Sequence, residues 1–164
     1  MKKIKLTLVS LLLAFAMVFA VACGSDNGGS GSGTGTGAGS GNDPTAANYL
    51  ALYNRAVALF ENDADFDEVF NMTRAQLLAA GFPADELPAG LLRLAFADNF
   101  TTWNWVSIAL FDTNANADAA AAEMLEDAIE FGEFAGRSGR VLFGSDLREL
   151  VELIIDEIGG TELT

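Results

Sequence analysis

The sequence predicts an α+β domain in which a small antiparallel sheet is packed with helices. Three observations carry that prediction. Leu147, Leu150, Val151, Ile154, Ile155 and Ile158 fall at helical spacing and form one apolar stripe. Residues 91–97 and 103–111 are apolar runs joined by a short polar turn, the pattern of two antiparallel strands. Between them and the last helix, residues 114–131 form an Ala-rich segment with helical periodicity.

The elements follow in chain order. Over residues 45–61, Tyr49, Leu52, Tyr53, Ala56, Leu59 and Phe60 recur at helical spacing, and Pro44 suits a first helical position. Residues 65–81 read as helical, with Thr73 and Gln76 as a capping box and Gly81 as the stop. Pro83 and Pro88 bracket a loop, and residues 91–97, 98–102 and 103–111 read as strand, turn and strand. Asn114 or Asn116 caps the next helix, with Met124, Leu125, Ala128 and Ile129 facing inward. Gly136 to Gly139 reads as a turn and residues 140–143 as a strand. In the last helix Asp146 and Glu149 resemble a capping box, and Gly159-Gly160 stops it. The element order is α-α-β-β-α-β-α. A second reading starts from the likeness of Val57-Ala-Leu-Phe-Glu61 to Ile108-Ala-Leu-Phe-Asp112. If Val57 to Phe60 is a strand, a duplicated unit gives a ferredoxin-like β-α-β-β-α-β order plus a C-terminal helix.

The N-terminal residues carry a different signal. Lys2, Lys3 and Lys5 precede a charge-free run of 17 residues, 6–22, rich in Leu, Val, Ala and Phe. A basic head and a short apolar run have the form of a secretory leader, with the positive end kept inside. The run closes on Phe19-Ala20-Val21-Ala22-Cys23-Gly24-Ser25. This stretch resembles the lipobox of bacterial lipoproteins, although Ala20 stands where that family favours Leu. The resemblance covers residues 1–25 and implies cleavage before Cys23, diacylglycerol on its thiol and a membrane anchor on the extracytoplasmic side. Cys23 is the only cysteine, so no disulfide forms within one chain.

Residues 24–42 are nearly all Gly, Ser and Thr. Such a segment buries no apolar surface and behaves as a coil with a root-mean-square span of roughly 25 Å. The expected organisation is a leader at 1–22, a lipidated cysteine and linker at 23–43, and one domain at 44–164. The only lysines lie in the leader, so a chain cut before Cys23 keeps six arginines against 23 acidic residues. That balance repels nucleic acid and anionic headgroups.

There is no histidine, which excludes His-based triads, His-ligated zinc and a His general base. Lysine and thiol nucleophiles are likewise missing from the cleaved chain, and no phosphate-loop or nucleophile-elbow motif has the right context. The sequence therefore argues against an enzyme. Two local patterns remain. Asp112, Asn114, Asn116 and Asp118, followed by Glu123, resemble a calcium-wrapping loop, with Ala117 where the turn needs glycine. The competing reading makes them helix caps. Asp63, Asp65, Asp67 and Glu68 read as a solvated loop and helix start.

The second pattern is the Trp103/Trp105 strand. Alternation puts Val106, Ile108 and Leu110 on one face, joined on grounds of apolarity by Leu92, Leu94, Phe96, Val141 and Phe143. That leaves Trp103, Trp105, Phe111, Leu142, Arg93 and Arg140 on the other. This second face is either an aromatic platform for a sugar or protein, or a core layer under the first or last helix. The sequence thus points to a membrane-anchored lipoprotein with a non-catalytic domain that binds an envelope protein or glycan. The alternative is a calcium-stabilised or calcium-sensing domain, with calcium as its cofactor.

Overall fold

A computed structural model describes residues 44–164, apart from 62, 64, 67, 100, 101 and 103. The expected leader, Cys23 and linker lie outside the described residues. Thr45–Thr164 forms one compact unit. Its architecture is α+β, with an antiparallel sheet packed with helices.

The elements are α1 (Pro44–Glu61), β1 (Glu68–Thr73), α2 (Arg74–Ala79), β2 (Leu91–Asn99), β3 (Asn104–Phe111), α3 (Asn114–Phe131), β4 (Phe134–Ser138), β5 (Val141–Ser145), α4 (Arg148–Ile158) and β6 (Thr161–Glu162). The strands lie in the order β1-β2-β3-β5-β4-β6, and every neighbouring pair is antiparallel. It follows that β3 and β4 run parallel with β5 between them, and β5 and β6 run parallel with β4 between them. Each pair is a split crossover, made by α3 and by α4. Both crossovers advance the same way across the sheet but leave from opposed strands. A common hand therefore sends the two helices to opposite faces.

Residues 65–73 correct the helical expectation: β1 runs up to Thr73, and the helix begins only at Arg74. The capping box is as expected, with Gln76 N–H donating to Thr73 Oγ1 (3.3 Å) and Thr73 N–H to Gln76 Oε1 (2.8 Å). Gly136 is no turn residue. It sits within β4, and the tight turn is Gly139-Arg140, between the paired Ser138 and Val141. The chain also returns after Gly159-Gly160 to add β6 beside β4.

The order β-α-β-β-α-β does occur from β1 to β4. The pairing is nevertheless not ferredoxin-like, because β1 pairs with β2 and β4 lies at the far side. Val57 to Phe60 is helical, so it and the matching stretch of β3 adopt different structures, against the repeat reading.

One face of the sheet presents Ala95, Ala97, Val106, Ile108, Leu110, Val141 and Phe143 to α1 and α4. Tyr53, Ala56, Val57 and Phe60 of α1 and Val151, Ile154 and Ile158 of α4 complete this core. Small Ala95 and Ala97 leave room for the large rings of α1. Leu94 and Phe96 are on the opposite face, which corrects the apolarity-based assignment. A bulge at Leu92 explains part of the difference: Leu91 pairs with Phe111 and Arg93 with Leu110. The extra residue lets Leu91 and Leu94 share a face while Leu92 stays exposed. That opposite face is covered over β3, β5 and β4 by α3, through buried Ala117, Ala121 and Ala128. Met124 of α3 closes on Gly144. Neither the first nor the last helix covers this face. Ile129 is 76% exposed, against its expected inward position.

Two tyrosines fasten α1. The Tyr53 hydroxyl donates to Asn71 Oδ1 at 2.9 Å. Burial raises its pKa well above the ordinary phenol range, opposed by the Arg93 charge and reinforced by Glu61, so it stays a donor. Tyr49 packs on Gly139, with the Arg140 guanidinium 5.2 Å from its ring centre. Midway along α1, Arg55 pairs with Glu157 of α4 at 2.8 Å, an exposed contact of small energetic weight.

Gly136 lies opposite fully buried Phe143, and a Cβ there would come within 2.2 Å of the ring. Gly136→Ala should therefore cost about 1–3 kcal/mol in urea unfolding. Phe143→Leu in the same chain should recover part of that loss, and strict additivity of the two costs would refute the contact.

Candidate functional site

The calcium-loop residues are not gathered around a point. Thr113, not Asn114 or Asn116, is the N-cap of α3, and its Oγ1 accepts the Asn116 N–H at 3.2 Å. Asn114, Asn116 and Asp118 then follow the helix, where alternate residues lie roughly 200° apart and cannot converge. Asn116 Nδ2 donates to Asp112 Oδ1 at 2.7 Å, Asp118 pairs with Arg137, and Glu123 is exposed in the third turn. Among the described residues no three acidic side chains group to hold a metal ion. The donor set does not fit calcium; it is a helix start. In the earlier acidic stretch, Asp63 Oδ1 accepts the Asp65 N–H at 2.9 Å, and a strand follows at Glu68.

The expected platform is also dispersed. Trp103 lies outside the described residues. Trp105 is half-buried, and its ring stacks on Phe96 with centroids 6.3 Å apart. Phe111 is buried on the α3 side. Arg93 pairs with Leu110 and so belongs to the other face. Arg140 sits in the β4–β5 turn, where Nη1 donates to the Asp112 carbonyl at 2.7 Å. Arg93 and Arg140 therefore do not join Trp105.

The structure brings a different set to Trp105. Asp98 pairs with Trp105 across β2 and β3. Val106 pairs with Ser145 and Ser145 with Phe134, so one step outward Trp105 faces Asp146, and Asp146 faces Glu133. Alternation puts Asp98 and Trp105 on the α3 face, and Asp146 and Glu133 continue the row just past the last paired residues of β5 and β4. Side chains fix the row where the backbone ladder ends. The Trp105 N–H donates to Asp146 Oδ1 at 2.9 Å, and Ser145 Oγ donates to the Trp105 carbonyl at 2.6 Å. Asp146 therefore does not cap α4, whose N-cap Leu147 makes no side-chain capping bond. Burial, with the charges of Asp127 and Asp146, pushes the Glu133 carboxyl up to about 7. Sequence reasoning missed this row because it set Phe96 on the wrong face and read Asp146 as a cap. The signal available was Asp146 standing directly after an apolar strand.

Two expectations follow. Thr113→Ala should destabilise the domain by about 1 kcal/mol in urea unfolding, and Asn114→Ala by less than about 0.5 kcal/mol. In thermal unfolding, millimolar calcium should leave the melting temperature where EDTA leaves it. Glu133 holds its proton to about pH 7 when folded, while the unfolded chain releases it in the usual carboxylate range. The folded state binds the extra proton in between, so this group's contribution to stability falls as pH rises through that window. The melting temperature of Glu133→Gln should fall less than that of the parent between about pH 5 and about pH 7.5.

No protein-family model matches the chain, and no curated protein and no solved structure matches it either.

Proposed function

We propose that the protein is an exported lipoprotein, anchored through lipidated Cys23 on the extracytoplasmic side of a membrane. Its domain is a non-catalytic binding module for an envelope protein or glycan. The observation that carries the reading is the sequence from Lys2 to Ser25, with its basic head, apolar run and lone cysteine after Ala-Val-Ala. A Gly/Ser-rich segment follows, and the compact unit begins directly after it at Thr45. Two acyl chains on Cys23 make anchoring stable where one is marginal. The binding half of the reading is supported by the half-exposed Phe96–Trp105 stack beside Asp98, Asp146 and Glu133. An aromatic surface with polar neighbours suits a sugar ring or a protein side chain.

In a bacterial host fed a clickable palmitate analogue, the full chain should take up label and sediment with membranes. Cys23→Ser should lose both label and sedimentation. Equal labelling of the variant, or a soluble parent chain, would overturn the anchor.

A further inference from the structure

We propose that the outer edge of β1 pairs antiparallel with β1 of a second copy of this chain, about a two-fold axis at Phe70. The two edges of the sheet are treated differently. On the β4 side the chain returns to pair Glu162 and Thr161 with Gly136 and Arg137, and the Leu163 N–H donates to the Ala135 carbonyl at 2.8 Å. On the β1 side, no backbone group among the described residues bonds to the outer edge. The segments flanking β1 both turn toward β2. The Asp65 carbonyl accepts the Asn99 side chain, and Arg74 donates to the carbonyls of Pro88 and Ala84. Val69 to Thr73 carry no charge, and β1 holds neither proline nor bulge, the devices that keep an edge strand single.

The phase of the ladder shows which groups face outward. The Trp105 N–H and carbonyl both meet side chains just past β5, so odd-numbered residues of β3 face β5 and even-numbered ones face β2. Counting through the β2 pairings leaves Val69, Asn71 and Thr73 with N–H and C=O directed away from β2. The capping box agrees, because the Thr73 N–H donates to Gln76 Oε1 instead of to Arg93. With Thr73 closed, the open stretch is Val69 and Asn71. A second copy matches it with Val69 opposite Asn71 and Asn71 opposite Val69, each pair exchanging N–H···O bonds. Phe70 then faces its own copy in the close pair between them. Phe70 is half-buried on the sheet face of Phe96, its partner in β2, so the pairing extends one aromatic row across the axis. An axis at Asn71 would set Val69 against the closed Thr73, and an axis at Val69 would leave Asn71 beyond the start of the second strand. Charge fits the same pairing. In the β1–β2 ladder Glu68 and Asp98 stand at one end, and Arg93, with Arg74 just past Thr73, at the other. Asp85 and Glu86 belong to the loop that Arg74 holds, outside the ladder. The two-fold sets the acidic end of each copy against the basic end of the other, whereas a parallel strand sets like against like.

The test is thiol cross-linking in cells that express the full chain, treated with a mild oxidant. Dimer is read on a non-reducing gel above the level that Cys23 gives in the parent. Across the axis the two copies of position 70 lie about 4.5 Å apart at Cα, within disulfide reach. The two copies of position 72, on the same face and also half-buried, lie more than about 12 Å apart. Phe70→Cys should therefore link at least about fivefold more than Met72→Cys. A second arm keeps the Phe70 ring. Co-expressed Val69→Cys and Asn71→Cys copies should link to each other, and neither should link to itself, since like positions are then about 8 Å apart. Linking between the mixed copies upholds the pairing even where Phe70→Cys fails to fold. No linked dimer in both arms would overturn the proposal. Equal linking by Phe70→Cys and Met72→Cys would also overturn it, as chance collision of exposed thiols, and so would Val69→Cys copies linked to themselves, which would move the axis.

Discussion

Strand β3 must be covered on both sides, and the rest of the domain answers that requirement. From Val106 to Phe111 every side chain is buried, so neither face of the strand tolerates water. Val106, Ile108 and Leu110 need one apolar layer, and Ala109 and Phe111 need another. A single helix cannot supply both. The two split crossovers do so because they leave from opposed strands, which puts α4 on one side and α3 on the other. Helix α1 then completes the α4 layer with the larger rings. Residue size follows from this arrangement. The α3 layer uses Ala117, Ala121 and Ala128, so the helix settles close to the sheet, whereas α1 brings Tyr53 and Phe60 over Ala95 and Ala97.

The electrostatics are set by the same strands. With so few cations in the domain, their positions shape its charge distribution. Arg137 and Arg140 are held near the β4–β5 turn by Asp118 and by Tyr49 with the Asp112 carbonyl. Arg74 is spent on the carbonyls of Pro88 and Ala84. At the opposite end burial, joined by the charges of Asp127 and Asp146, raises the Glu133 carboxyl toward neutrality.

Much of the fold was legible in the sequence. The stripe of α4, the Thr73–Gln76 box and the β2–β3 pair all express a single local rule. The features that could not be read depend on partners far along the chain. Gly136 looks like a turn until Phe143 is known to lie across it. Leu94 and Phe96 look like core partners of Ile108 until the bulge at Leu92 sets the register. β6 is two residues long and carries no periodicity at all. The candidate surface was obscured for the same reason: Asp98, Asp146 and Glu133 become neighbours only through three strand pairings. Of the original surface residues that the structure describes, only Trp105 stands in it. The calcium pattern fails on geometry, since it counts residues as a loop where the chain is already a helix.

Helix α1 also has a mechanical meaning. It enters beside the β4–β5 turn, where Tyr49 meets Gly139, and ends near Phe66, whose ring meets Phe60 edge-on at 5.1 Å. Its 18 residues span about 27 Å. Along that length Tyr49 holds the β4–β5 turn, Tyr53 holds β1, and Val57 and Phe60 fill the core. Loosening one of these contacts therefore leaves the helix still tied to strands on the other side of the sheet.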